Sequence, residues 1–176
     1  IIGIFVGLIS AYKGGWVDLL IGRSTDVILG FPYLVLSIVI IVSLTPSALS
    51  TSIAIGLALA PRVIRLTRAG VLSVKQQTYV KAARTVGASN THIIFAHILP
   101  NSIGPVLVQV AGYFGTAIGA ETVLSYLGLG VPPPYPSWGR MLQEGTRLYF
   151  EAAPWLTLLP GLALSITVVC LALVTD

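Results

Sequence analysis

Apolar runs dominate the chain, and polar positions gather into a few islands between them. Ile1 to Ala11 is almost wholly apolar and closes at Lys13, Gly14 and Gly15, with Trp16 suited to interfacial depth; it reads as the second half of a membrane helix. Asp18 to Ser24 form a short connection bearing Arg23. From Thr25 to Leu44 the chain is uncharged after Asp26, long enough for the roughly 20 residues a bilayer-spanning helix needs, with Pro32 near its start. Ser50 to Gly70 predicts the next span, interrupted by Pro61. Arg62, Arg65 and Arg68 follow along one side, placed to snorkel to headgroups or meet a partner. Asn101 to Ala120 is a span rich in Gly104, Gly112, Gly115 and Gly119, the last two at the GxxxG spacing that lets membrane helices pack closely. Pro154 to Val174 is the last, with Pro160 and Gly161 inside it.

Two polar stretches interrupt this series, 73–100 and 121–153. In the first, YVKAARTVGASNTHIIFAHILP from Tyr79 to Pro100 predicts two short helices with a bend. Val80, Ala83 and Gly87 fall at i, i+3, i+7 and give one small-residue face, against which a partner can press, with Lys81 and Arg84 on another side. Gly87 supplies the freedom for a turn, Ser89 is the expected N-cap of the second helix, and Pro100 marks the start of a new element.

Composition turns this pattern into a class. With 55% hydrophobic and 9% charged residues among 176, the chain departs far from a soluble domain, which carries about 25% charged residues. It is expected to be an all-α membrane protein of about five membrane helices. The net charge of +4 does not mark a nucleic-acid binder, because the basic residues flank apolar segments as topology determinants do. Eight of the ten, Lys13, Arg23, Arg62, Arg65, Arg68, Lys75, Lys81 and Arg84, fall on one side of the expected membrane, and Arg140 and Arg147 on the other. By the positive-inside rule the 73–100 island is cytoplasmic and 121–153 is extracytoplasmic. Cys170 is the single cysteine, inside an apolar run, so no disulfide forms within the chain.

The island carries a resemblance. Ala82, Ala83, three residues, Gly87, then Leu99, Pro100 and Asn101 resemble the cytoplasmic loop of ABC importer permeases, written EAA, three residues, G, nine residues, I-x-L-P, and in the peptide and nickel branch ending HILPN. Lys81 stands where that family usually has Glu, and His97 where the Ile falls. Leu124 to Gly139, LSYLGLGVPPPYPSWG, resembles nearly residue for residue the segment that marks the dipeptide, oligopeptide and nickel branch. Its three consecutive prolines, with Pro136 and flanking glycines, predict an extended, turn-rich segment, with Tyr135 and Trp138 suited to an interface.

The resemblance implies the transmembrane domain of a type I ABC importer over 1–176, with another N-terminal helix expected ahead of Ile1 in the full subunit. It implies a permease half-pathway for peptides, with a homologous second permease, two ATP-binding subunits that hold ATP and Mg, and an extracytoplasmic substrate-binding protein, in the cytoplasmic membrane of a prokaryote. It also implies that Lys81, Ala82, Ala83, Arg84 and Gly87 form the coupling contact with the ATPase. Nickel import by the same branch, a gradient-driven secondary transporter and a non-transporting membrane scaffold are the alternatives.

The residues themselves are consistent with a subunit that borrows its energy. No GxxxxGK[ST] loop is present, and no base lies beside a candidate nucleophile, so neither ATP binding nor catalysis is expected of this chain. His92 and His97 are five apart without neighbouring carboxylates and read as packing groups, not metal ligands. Glu121, at the edge of a glycine-rich span, is a candidate for meeting a substrate amine or for solvation by headgroups, and Trp138 a candidate for the outer gate.

Overall fold

A computed structural model describes residues 1–175, with the side chains of 1–173; Asp176, the last residue of the expected domain, lies outside them. The order is α1 (Ile2–Lys13), α2 (Gly15–Leu29), α3 (Tyr33–Val42), α4 (Ala48–Lys75), α5 (Thr78–Thr85), α6 (Asn90–His92), α7 (Leu99–Tyr126), α8 (Trp138–Glu144) and α9 (Trp155–Thr175). Wide π turns at Ile93–Ile98 and Gly145–Tyr149 follow α6 and α8. Three helical stretches among the described residues are long and apolar enough to cross a membrane: Ala48–Lys75, Asn90–Tyr126 and Trp155–Leu173. The pair α2 and α3, bent by 93°, makes a fourth if it is one span. At 12 residues, α1 is apolar but shorter than a span.

The single span expected from Thr25 to Leu44 is therefore broken. Proline disfavours a helical conformation in the residue before it and lacks the N–H that would continue the ladder; α2 stops at Leu29, and Pro32 stands in an extended conformation as the N-cap of α3. The connection expected at Asp18 to Ser24 is instead helical. By contrast Pro61, Pro105 and Pro160 all lie inside helices, as membrane helices permit when neighbouring groups re-satisfy the freed carbonyls.

The chain forms two compact units. One comprises Ile1–Gly30 and Ala60–Val110. Its core is Leu8, Ala11, Val71, Val80, Ile93 and Ile98, which joins α1, the end of α4, α5 and the π turn. The approach of α1 to α4 depends on two glycines: a Cβ at Gly3 would lie 2.8 Å from the Val63 Cβ, and one at Gly7 would lie 2.6 Å from the Ile64 carbonyl oxygen and 2.8 Å from the Thr67 Cβ. These two residues also have GxxxG spacing, so the small-residue signal that packs helices lies in the first segment. At the expected pair, a Cβ on Gly115 finds only ordinary contact, 3.7 Å from Val168, and one on Gly119 meets nothing within 4 Å.

The second unit comprises Phe31–Leu59 and the chain from Ala111 onward. Ile41, Ala54, Ile55, Leu59, Ala120 and Leu124 form its core. On α9, Leu158, Leu162, Ile166 and Val169 are all exposed, an apolar surface that fits lipid or another membrane subunit and not water.

Candidate functional site

The stretch 73–100 forms a helical hairpin built on the core of the first unit. Val80 is buried and Ala83 packs against the same cluster, so the small-residue face of α5 is turned inward. Lys81, Ala82, Arg84, Thr85, Val86 and Gly87 are exposed. Of the five residues named for coupling, four lie on the open surface, whereas Ala83 supports the helix from beneath.

The spacing from the paired alanines to Gly87 has a local cause. Gly87 has φ +83, a left-handed conformation that costs a residue with a Cβ roughly 1–2 kcal/mol. The Gly87 N–H donates to the Arg84 carbonyl at 3.2 Å, and the Ala88 N–H to the Ala83 carbonyl at 3.1 Å. This is a Schellman closure, in which the residue after the glycine packs back on the last turn; Ala88 and Ala83 both lie against the core. The next helix starts as expected, with the Ser89 hydroxyl accepting from the His92 N–H at 3.2 Å.

A new α-helical element, α7, begins at Leu99 beside Pro100 as expected, but it follows the π turn without a break, within a helical stretch that runs from Asn90 to Tyr126. The π turn accommodates the proline. A proline ring in a regular helix meets the carbonyl four residues back, and the wider turn changes that register: the Leu99 N–H reaches the Ile94 carbonyl. The Asn101 side-chain amide donates to the His97 carbonyl at 2.7 Å, satisfying an acceptor in the disturbed stretch. The same turn brings the His92 and His97 rings to 5.5 Å, with Tyr79 6.1 Å from His97.

Polar contacts that sequence spacing did not reveal tie the hairpin to α1 and α4 to α2. Lys75 Nζ donates to the Ala11 and Tyr12 carbonyls at 3.1 and 2.9 Å, closing the C-terminus of α1 with a cation that also suits its dipole. The Tyr12 hydroxyl donates to Asn90 Oδ1 at 2.6 Å. The arginines of α4 meet acids on α2: Arg68 grips Asp18 through Nε and Nη2, both at 2.6 Å, and Arg65 Nη2 lies 2.6 Å from Asp26 Oδ1. The Ser10 hydroxyl also donates to Asp18. Of the two expectations for these arginines, headgroups or a partner, Arg65 and Arg68 meet partners within the unit. A cavity of about 370 Å³ lies beside these pairs, between α2 and α4.

The second signature folds back onto α7 in the other unit. Gly128, at φ +80, ends α7 by the same Schellman closure, with the Gly128 N–H on the Ser125 carbonyl and the Leu129 N–H on the Leu124 carbonyl. A Cβ at Gly130 would collide with Ser125, and one at Gly139 with the Thr122 carbonyl. Glu121 lies inside α7, where its Oε1 accepts from the Ser125 hydroxyl at 2.6 Å and the Ser137 hydroxyl at 3.0 Å. The stretch is not uniformly extended, since α7 continues to Tyr126 and α8 begins at Trp138, which is 36% exposed. Glu121 thus ties the returning chain to its helix. Glu121→Gln is expected to keep the fold, because an amide oxygen still accepts from both serines, whereas Glu121→Leu lowers thermal stability by removing an acceptor that two buried hydroxyls use; equal melting temperatures of the Leu variant and the native chain would remove this role.

Comparison with known proteins agrees with both signatures. Residues 3–176 match the family described as binding-protein-dependent transport system inner membrane component. The chain is 41% identical over 176 residues to a dipeptide transport system permease protein of Alkalihalophilus pseudofirmus, covering 100% of this chain and 58% of that protein. It is 39% identical to a di/tripeptide transport system permease protein of Pseudomonas aeruginosa, over 99% of this chain and 57% of the relative. Identity to a glutathione transport system permease protein of Pectobacterium atrosepticum is 37%, with 99% and 58% covered. The chain therefore spans a little under three-fifths of these relatives' lengths. The chain belongs to the family of inner-membrane components of binding-protein-dependent transport systems, and its fold is that of a type I ABC importer transmembrane domain.

Proposed function

We propose that this chain is the transmembrane core of a permease subunit that forms half of a peptide pathway through the cytoplasmic membrane of a prokaryote. A homologous permease supplies the other half. Two partner subunits bind ATP and Mg and hydrolyse the nucleotide, and an extracytoplasmic binding protein delivers cargo; the chain itself performs no catalysis.

One observation carries the coupling role. The α5 helix is packed from below by Val80 and Ala83, is closed by a left-handed glycine, and presents Lys81, Ala82, Arg84 and Gly87 outward. The helix beyond it continues from Asn90 to Tyr126 as one membrane-length element. A supported helix transmits a push where a loose loop would absorb it. The names of the relatives favour peptides as cargo. Orientation follows charge: the unit holding the hairpin has eight basic residues against Asp18 and Asp26, a formal +6, and the positive-inside rule places such loops in the cytoplasm.

Uptake by the full-length subunit, assembled with its partners in proteoliposomes, tests this reading. ATP-dependent accumulation of a labelled dipeptide is expected. Accumulation of nickel and not peptide would reassign the cargo, and uptake driven by an ion gradient without ATP would overturn the reading.

A further inference from the structure

Neither the hairpin nor the second signature uses the cavity of about 370 Å³ between α2 and α4. Its size falls in the range of small-ligand sites, about 300–1,000 Å³. Three arginines, Arg23, Arg65 and Arg68, and two acids, Asp18 and Asp26, line it, which leaves one formal positive charge. Both acids are already held, Asp18 by Arg68 and Asp26 by Arg65. Arg23 is exposed, and among the described residues it has no ion pair or side-chain hydrogen bond. Arg65 reaches Asp26 through Nη2 and stays 62% exposed; a guanidinium has five N–H donors, so most of its fork is open. The room comes from Gly22, which lines the cavity without a side chain to fill it, and a Cβ there would meet nothing within 4 Å.

We propose that this cleft binds the phosphodiester of an anionic phospholipid headgroup, held by Arg23 and the open edge of Arg65. The charges match: a phosphodiester carries a single negative charge, whereas a phosphate monoester carries about two. Guanidinium groups suit phosphate oxygens, to which they make charge-assisted hydrogen bonds. The rest of α2 marks the ligand as a lipid. Trp16, Leu19 and Leu20 are exposed on this helix, with Val27 and Ile28 beyond them, and Leu19 itself lines the cavity. Bulky apolar groups beside a basic residue are the composition of a helix at the headgroup boundary. An acyl chain can follow that apolar surface while its phosphate sits in the cleft; a free anion gains nothing from it. The basic excess of this unit points the same way, since basic residues favour the cytoplasmic side and the cytoplasmic leaflet is anionic. The site depends on the membrane setting of the family, and not on the cargo or the coupling role proposed above.

The test uses the full-length subunit purified with its partner permease in a neutral detergent, stripped of lipid and immobilised. Radiolabelled phosphatidylglycerol, phosphatidylcholine and inorganic phosphate are titrated separately at several salt concentrations. Phosphatidylglycerol is expected to bind more tightly than phosphatidylcholine, whose choline cancels the charge, and to weaken as salt rises. Arg23→Gln is expected to weaken phosphatidylglycerol about fivefold, the effect of one basic residue at an anionic headgroup. Arg147→Gln, which removes the same charge from the other unit, should leave binding unchanged. Gly22→Leu fills the cleft and is expected to abolish binding. Size exclusion verifies folding, and Arg23→Gln, on an exposed side chain without a partner, carries the test if the leucine variant does not fold. Equal binding of phosphatidylglycerol by the native complex and Arg23→Gln, or an equal loss in Arg147→Gln, would overturn the cleft as the site. Inorganic phosphate bound at least as tightly, and lost with Arg23→Gln, would assign the cleft to a free anion and overturn the lipid. Peptide uptake is read separately, so either failure leaves the transport reading standing.

Discussion

Gly7→Leu is expected to separate α1 from α4 and to leave the subunit unstable in detergent, with a cost of about 3 kcal/mol or more, the upper part of the range for overpacked sites. The reason is the identity of the neighbours. A Cβ at Gly7 would meet the Ile64 carbonyl oxygen at 2.6 Å and the Thr67 Cβ at 2.8 Å, and a carbonyl held in a helix cannot swing aside as a long side chain can. The damage would spread to the hairpin, because α1 supplies Leu8 and Ala11 to the core on which Val80 and Ile93 rest. Gly119→Ala is the contrasting case. Nothing lies within 4 Å of that Cβ, and alanine is a better helix former than glycine by roughly 0.5–1 kcal/mol. Thermal unfolding followed by size exclusion should therefore rank Gly119→Ala at or above the native chain, Gly7→Ala below it and Gly7→Leu lowest. Equal stability of Gly7→Leu and the native protein would remove the close helix contact from the account.

The second large effect is functional. Gly87→Trp should abolish peptide uptake while the subunit still inserts and assembles, with ATP hydrolysis persisting uncoupled from transport. Gly87 is exposed, and a Cβ there meets no neighbour within 4 Å, so the indole would project from the surface proposed to meet the ATPase. Two causes have to be separated, since the position also has φ +83. Asparagine tolerates the left-handed region better than other residues with a Cβ and is small. Gly87→Asn should thus keep most uptake, Gly87→Ala should lose stability modestly through backbone strain, and Gly87→Trp alone should uncouple. Uptake by Gly87→Trp equal to native would count decisively against a docking role for this face.

Particular residues show why some of this was legible in sequence. Gly87 and Ser89 are local signals, one requiring a left-handed backbone and the other capping the following turn, and both act as expected. Long apolar runs likewise identify membrane segments, because hydrocarbon leaves the backbone little choice but to bond within its own helix. Proline is less readable. Pro32 coincides with a 93° break, whereas Pro61 lies inside α4 and Pro100 lies within the unbroken helix Asn90–Tyr126. What separates them is whether the surrounding register and neighbours accommodate the missing N–H, and at Pro100 the π turn before it does so.

Tertiary partners were the other blind spot. Of the i, i+3, i+7 pattern, Val80 and Ala83 share a face of α5 while Gly87 lies beyond the helix end and is exposed, and periodicity does not say whether that face meets the protein's own core or a partner. Val80 and Ala83 meet the core, and the open surface belongs to Lys81, Ala82 and Arg84. Arg65 and Arg68 sit at 39 and 50 residues from the acids they hold, a separation at which no local rule applies. Glu121 similarly reads as an isolated charge until Ser137 returns to it across 16 residues. In the second signature the glycines at 130 and 139 exist because the returning backbone touches α7 where a Cβ would collide; the motif is the imprint of that contact.

The hairpin around α5 is proposed as the docking element for a separate ATPase. This role is tested most directly by purifying the full-length subunit, co-expressed with its partner permease and ATPase subunits, through a tag on this chain, with the native loop or with Lys81 to Ala88 replaced by a Gly/Ser linker. The ATPase is expected to co-purify with the native loop and to be lost with the linker while the two permeases stay together. ATPase retained equally by both, or by neither when both are folded, would contradict it.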